Sequence, residues 1–265
     1  MSDARPIGLL DSGVGGLSVL REVRRLLPNE RLCYAADQAH LPYGARTVGE
    51  IRQYVEQIVR FLLQQDCKLI VIACNAANTA ALHHMRRLFP EVPIVGMEPA
   101  VKPAAERTRS GVIGVLTTQV TAQGALYANV MTRFAQGVRV ITQVCPQLVE
   151  LVEQGAPEDD AARQLVAECV APLQAAGADQ IVLGCTHFPF LMPHLRAALG
   201  TSAAIVDPAP AVARQVQRVL AARCALNESA AQGEARYFTS GAPEQFSRVA
   251  AQLLGTPIQA APLYD

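Results

Sequence analysis

The chain has 265 residues, 51% of them apolar, and a formal net charge of zero. That length suffices for one large domain or two small ones with a real core, and the balanced charge lacks the basic footprint of a nucleic-acid binder. The opening Met1-Ser2-Asp3-Ala4-Arg5-Pro6 has no secretory layout and no apolar run approaches the roughly 20 residues that span a bilayer, so a soluble cytoplasmic protein engaging neither nucleic acid nor membrane is expected.

In chain order, Pro6 to Leu10 reads as a short strand, followed by Asp11-Ser12-Gly13-Val14-Gly15-Gly16 and an amphipathic helix from Leu17 to Leu27. The glycine spacing fits neither the dinucleotide fingerprint nor the P-loop. The turn either admits a substrate carboxylate to backbone N–H groups or makes Asp11-Ser12 a helix N-cap pair. A second strand, Arg31 to Ala36, ends in Asp37 and a turn-rich loop through Pro42-Tyr43-Gly44, with a helix from Thr47 to Gln65. The third strand, Leu69 to Ala73, runs into Cys74-Asn75 and a helix from Ala76 to Leu88, and Pro93 to Gly96 is a fourth short strand.

The pattern then restarts. Gly111 to Leu116 with Thr117-Thr118 mirrors the first strand, Val138 to Val144 the second, Asp160 to Ala176 the long helix, Gln180 to Cys185 the third strand, and Ala203 to Val206 the fourth. The alternation predicts an α/β fold of two pseudo-symmetric, doubly wound parallel-sheet lobes with the active site in the cleft between them. A helix from Ala211 to Ala222, then Tyr237-Phe238-Thr239 and a helix from Pro243 to Leu254, imply a tail that packs back on the first half. The expected units are 1–97 plus 208–265 and an inserted 98–207.

Seven cysteines without paired spacing point to free thiols, and Cys185-x-His187 alone is too sparse for a zinc site. The two lysines are Lys68 and Lys102, and Lys68 stands at the wrong end of its strand for a Schiff base, which weighs against pyridoxal chemistry. Any one cysteine at a strand end reads as a small buried hydrophobe. Two at equivalent ends of a repeat, Cys74 and Cys185, each with a small polar follower, instead suggest one site in two halves. They form either a redox pair or two acid/base groups flanking one carbon. Asp11 and His187 are the natural helpers, because a thiol of pKa near 8.5 is mostly protonated at neutral pH. Asn75 and Thr186 are placed to hold carboxylate and amino groups. Cys33, Cys67 and Cys145 fall in or beside strands and Cys169 and Cys224 on helices, and these, with His40, His83, His84 and His194, read as packing or surface residues.

Asp11 to Ser18, Pro42-Tyr43-Gly44, Cys74-Asn75 and Gly184-Cys185-Thr186-His187-Phe188-Pro189 resemble, in order and over the full length, the glutamate racemases of the cofactor-independent aspartate/glutamate racemase family. The resemblance implies conversion of L- to D-glutamate for peptidoglycan with no cofactor and no metal, commonly by a homodimer. It also implies Cys74 and Cys185 as the two bases, Asp11 assisting the former, His187 the latter, and Glu153 near the second cysteine. Ser12, Pro42, Tyr43, Gly44, Asn75, Thr118 and Thr186 match substrate contacts. The family usually continues Cys-Asn-Thr-Ala, whereas this chain has Ala76 in place of the threonine, a loss expected to weaken the grip on the α-carboxylate by about 1 kcal/mol unless Asn78, Thr79 or water replaces the hydroxyl. Rival readings are an aspartate or hydantoin racemase of the same fold and a catalytically silent amino-acid-binding protein. A cysteine hydrolase is disfavoured because His187 lies close in sequence to Cys185 and no oxyanion motif stands out.

Overall fold

The computed structural model describes residues 2–264; Met1 and Asp265, the outermost residues of the first expected unit, lie outside the described residues. The elements of the first half are β1 (Ile7–Asp11), α1 (Leu17–Leu26), β2 (Leu32–Ala36), α2 (Val48–Gln64), β3 (Leu69–Ile72), α3 (Asn75–Leu88) and β4 (Ile94–Val95). Those of the second are α4 (Val101–Arg107), β5 (Val112–Thr117), α5 (Gln119–Gln123), α6 (Ala125–Phe134), β6 (Arg139–Val144), α7 (Gln147–Glu153), α8 (Asp160–Ala175), β7 (Gln180–Leu183), α9 (Met192–Leu199) and β8 (Ala204–Val206). The tail holds α10 (Ala209–Ala222), β9 (Ala235–Thr239), α11 (Pro243–Leu254) and β10 (Ala260–Pro262).

Continuous apolar runs make the central strands. Every residue of β1, β2, β3 and β7 is buried, which a strand covered by helices on both faces requires. Two parallel sheets result, ordered β10-β9-β2-β1-β3-β4 and β6-β5-β7-β8. The run β2-β1-β3-β4 in one matches β6-β5-β7-β8 in the other, so the repeat in the sequence is a repeat in topology. Helix starts are specified locally as well: Thr47 and Glu50 form a reciprocal capping box on α2, and the Asp159 side chain accepts the Ala162 N–H at the start of α8.

The tail joins the first sheet directly, β9 pairing in parallel with β2 and β10 with β9. The edge strand β10 is three residues long and includes Pro262, too short for any alternation to show in the sequence. Cys224 lies past the end of α10 rather than on a helix; its φ of +52° takes the chain out of the helical region. Lys68 forms a buried ion pair with Glu30 at 2.6 Å and donates to the carbonyl of Ala225. It precedes β3, at the opposite end of that strand from Cys74. Among the described residues no helix is long and apolar enough to cross a membrane.

Candidate active site

Both sheets reverse their winding between their first and third strands, β1/β3 and β5/β7. The crevice beyond the carboxyl ends of such strands is where open α/β sheets bind ligands. In the strand registers Leu10 lies opposite Ile72 and Leu116 opposite Leu183. Cys74 and Cys185, each two residues beyond, are therefore equivalent, as are Asn75 and Thr186, Asp11 and Thr117, and Ser12 and Thr118. The two sets meet around one cavity of about 270 Å³, at the small end of ligand pockets.

Of the residues singled out from the sequence, Ser12, Pro42, Tyr43, Gly44, Cys74, Asn75, Thr118, Cys185, Thr186 and His187 line this cavity, while Asp11 and Glu153 stand behind its wall. Gln119, Val144, Pro146, Val149 and Glu150 also line it and were not anticipated. Val144 and Pro146 flank the carboxyl end of β6, the same kind of position that exposed the cysteines, and that signal was available.

Cys74 caps the amino end of α3, and its strand end is pinned by Asn78. The Asn78 amide donates to the carbonyls of Ile72 (2.6 Å) and Cys74 (2.7 Å) and accepts the Met97 N–H (2.9 Å). With all those bonds made, Asn78 has nothing to offer in place of a hydroxyl at Ala76, which lines the cavity. Thr79 turns its methyl toward Gly124 instead. The Cys74 sulfur lies 3.7 Å from the Ser12 hydroxyl. Burial and then the Asp11 charge push this thiol up to about 12, with Ala77 N–H and the Ser12 hydroxyl pulling the other way. Next to it Asn75 is buried with neither amide atom hydrogen-bonded, an arrangement that awaits a ligand.

On the other side a tight turn, Phe188 N–H to the Cys185 carbonyl, folds the chain back on itself. His187 Nδ1 thereby stands 3.6 Å from Cys185 Sγ, so proximity in sequence does not keep the imidazole from the thiol. The far ring nitrogen, Nε2, lies 2.7 Å from Glu153 Oε1. Burial alone would strip the proton from His187. The contact with Cys185 and the Glu153 carboxylate outweigh it and hold the ring protonated, well above its ordinary value. Burial raises Glu153 in turn, but hydrogen bonds from His187, Val14 N–H and Gln38 leave it below the usual carboxylate range. Gly15 makes room for this pair: a Cβ there would stand 2.3 Å from His187 Nδ1.

Asp11 is fully buried and does not cap α1, whose N-cap is Gly16. Its carboxylate instead accepts the Gly13 N–H (2.9 Å) and, across the cleft, the Thr186 hydroxyl (3.1 Å). Burial raises it to about 6, against the pull of His187. The Gly13 carbonyl accepts the Tyr34 hydroxyl at 2.7 Å, fixing the loop that carries these groups. Among the described residues no cluster of three His, Cys, Asp or Glu side chains is placed to hold a metal ion.

Residues 7–216 match the family described as Asp/Glu/Hydantoin racemase. A glutamate racemase of Roseiflexus sp. (strain RS-1) is 51% identical over 252 residues, spanning 94% of this chain and 93% of its own. The crystal structure of a glutamate racemase isoform from Bacillus anthracis superposes with a TM-score of 0.88 at 33% identity, over 97% of this chain and 96% of that one. That of the Francisella tularensis glutamate racemase in complex with D-glutamate does so with a TM-score of 0.84 at 26% identity, over the same shares.

Proposed function

The chain belongs to the Asp/Glu/hydantoin racemase family, and on that footing we propose that it interconverts L- and D-glutamate with two cysteines, one removing the Cα proton and the other delivering a proton to the opposite face. The observation that carries this reading is the pair of equivalent strand ends that bring Cys74 and Cys185 to one cavity. Racemisation requires one group to take a proton from one face of Cα while another supplies a proton to the opposite face. Because the two enantiomers are equal in energy, the acid and base are best built alike.

The two halves differ in the groups that serve them. Cys74, pushed up to about 12, rests as a thiol and serves as the acid. Cys185 stands 3.6 Å from His187 Nδ1, a ring nitrogen placed to guide its proton, and serves as the base. In one turnover Cys185 takes the Cα proton from one face and Cys74 delivers its own proton to the other, so Cys185 ends with one proton more and Cys74 with one fewer; turnover of the opposite enantiomer restores the starting state. Asn75 and the amino end of α3 receive the α-carboxylate, and the hydroxyls of Ser12, Thr118 and Thr186 with the Pro42-Tyr43-Gly44 wall hold the rest of the substrate. Asp11 serves the Cys74 side, and Glu153 acts through His187.

In deuterated water without added cofactor, either enantiomer of glutamate is expected to racemise with deuterium appearing at Cα in step with inversion. Inversion without exchange, or neither, overturns the reading, and binding without turnover supports a silent binding protein. Running aspartate beside glutamate separates the two acidic substrates. Ala76→Thr supplies the hydroxyl that Asn78 and Thr79 do not, and is expected to lower KM for glutamate roughly five-fold, the worth of one hydrogen bond of about 1 kcal/mol; an unchanged KM means that the position does not touch the carboxylate.

We carry over from the resemblance, as proposals, a role in supplying D-glutamate for peptidoglycan, a cytoplasmic location and a homodimer. The division into 1–97 plus 208–265 and 98–207 is likewise proposed, supported by the assignment of every strand from 112 to 206 to the second sheet.

A further inference from the structure

We propose that Gln38 is a positioning residue for the acid/base pair at Cys185, and that through it this pair depends on contact between the two halves of the molecule. The proposal rests on the two-thiol reading. Glu153 ends α7 in the second half, yet two of the hydrogen bonds to its carboxylate come from the first: Val14 N–H to Oε1 at 2.8 Å and Gln38 Nε2 to Oε2 at 3.0 Å. The remaining contact, His187 Nε2 to Oε1, is the one that reaches Cys185.

The Gln38 amide is itself oriented. Its Oε1 accepts the Thr239 hydroxyl at 3.0 Å, and that hydroxyl already accepts the Gly241 N–H at 3.1 Å, which leaves its proton for Gln38. The NH₂ end therefore points at Glu153. Holding Oε2 fixes the plane of the carboxylate, and with it the position of Oε1, which Val14 and His187 share. Without Gln38, Oε2 is left unpaired in a largely buried setting; Glu153 then holds its proton more tightly and supports the His187 imidazolium less. The Cys74 side is served by Ser12 and Asp11, and among the described residues neither of these nor Cys74 is hydrogen-bonded to the Gln38 side chain, whose partners are Glu153 and Thr239. The effect is one-sided.

That one-sidedness is what the test reads. Gln38→Leu keeps a branched side chain one atom shorter and removes the donor. It is expected to lower kcat roughly ten-fold, as loss of a hydrogen bond to a charged group does, with KM nearly unchanged. Proton transfer at Cys185 becomes the slow step in both directions. The primary deuterium isotope effect on kcat/KM should then grow for the enantiomer whose Cα proton Cys185 removes and shrink for the other. In a Glu153→Gln background the same change should cost less than two-fold, because the group it acts through is gone. Thr239→Val, which frees the Gln38 amide without touching Glu153, should give a smaller loss of the same kind. Wild-type kinetics for Gln38→Leu, isotope effects that move together, or a full additional loss in the Glu153→Gln background overturn the proposal. Cys185→Ser, run in parallel, separates the two failures: if it racemises normally, the two-thiol reading itself is wrong, whereas if it is inactive and Gln38→Leu is unaffected, only the role of Gln38 falls.

Discussion

Cys74→Ser and Cys185→Ser are each expected to lose racemisation by roughly 10³-fold or more, the weight of general acid–base catalysis at a carbon with no other activation. The replacement is nearly isosteric, so both cavity walls stay in place. A serine hydroxyl, however, is far harder to ionise than a thiol, and the imidazolium of His187 cannot make up that difference. Each variant keeps one working thiol, so each retains access to one face of Cα. The expected signature is a mirror pair: in deuterated water Cys74→Ser exchanges the Cα proton of one enantiomer without inverting it, and Cys185→Ser does so for the other. Retained inversion in either variant, or exchange of the same enantiomer by both, overturns the assignment of one cysteine to each face.

Much of this site is legible in the sequence because strand ends are. An apolar run such as Leu69 to Ile72 marks a buried strand, and whatever follows it lies at the sheet edge; the same logic exposes Cys185 after Gln180 to Leu183. The repeat then pairs the two. What periodicity does not carry is which buried side chains meet across the cleft. Gln38 and Glu153 are separated by 115 positions, Val14 and Glu153 by 139, and Asp11 and Thr186 by 175. Asp11 illustrates the difficulty: an Asp-Ser pair ahead of a helix reads as an N-cap, but Gly13 takes one carboxylate oxygen and Thr186 the other. Glu153 was reached only through the resemblance, since a seven-residue helix such as α7 is too short to declare a face. Gln38, the residue directly after a strand-end aspartate, held the right position but no distinguishing chemistry.

Asp11→Asn is expected to make the protein more stable and less active, with the gain in stability depending on pH. Burial moves this carboxyl from 3.8 to about 6, so above pH 6 its ionisation costs the folded state about 3 kcal/mol. Below pH 3.8 the group is protonated in both folded and unfolded chains and costs nothing. Between those values the unfolded chain releases the proton and the folded one keeps it, so wild-type stability falls as pH rises. Asparagine has no such dependence: its Oδ1 still accepts the Gly13 N–H and its amide nitrogen donates to the Thr186 hydroxyl. Thermal midpoints of the two proteins should therefore agree near pH 4 and separate by roughly 5–10 °C at pH 7.5, the variant higher; an equal difference at both values overturns the argument. Activity should move the opposite way, by roughly 10²-fold. The Asp11 charge is part of what keeps Cys74 protonated, and without it Cys74 is held less firmly in its role as the acid. A buried carboxylate that weakens the fold at neutral pH is retained where a reaction uses its charge.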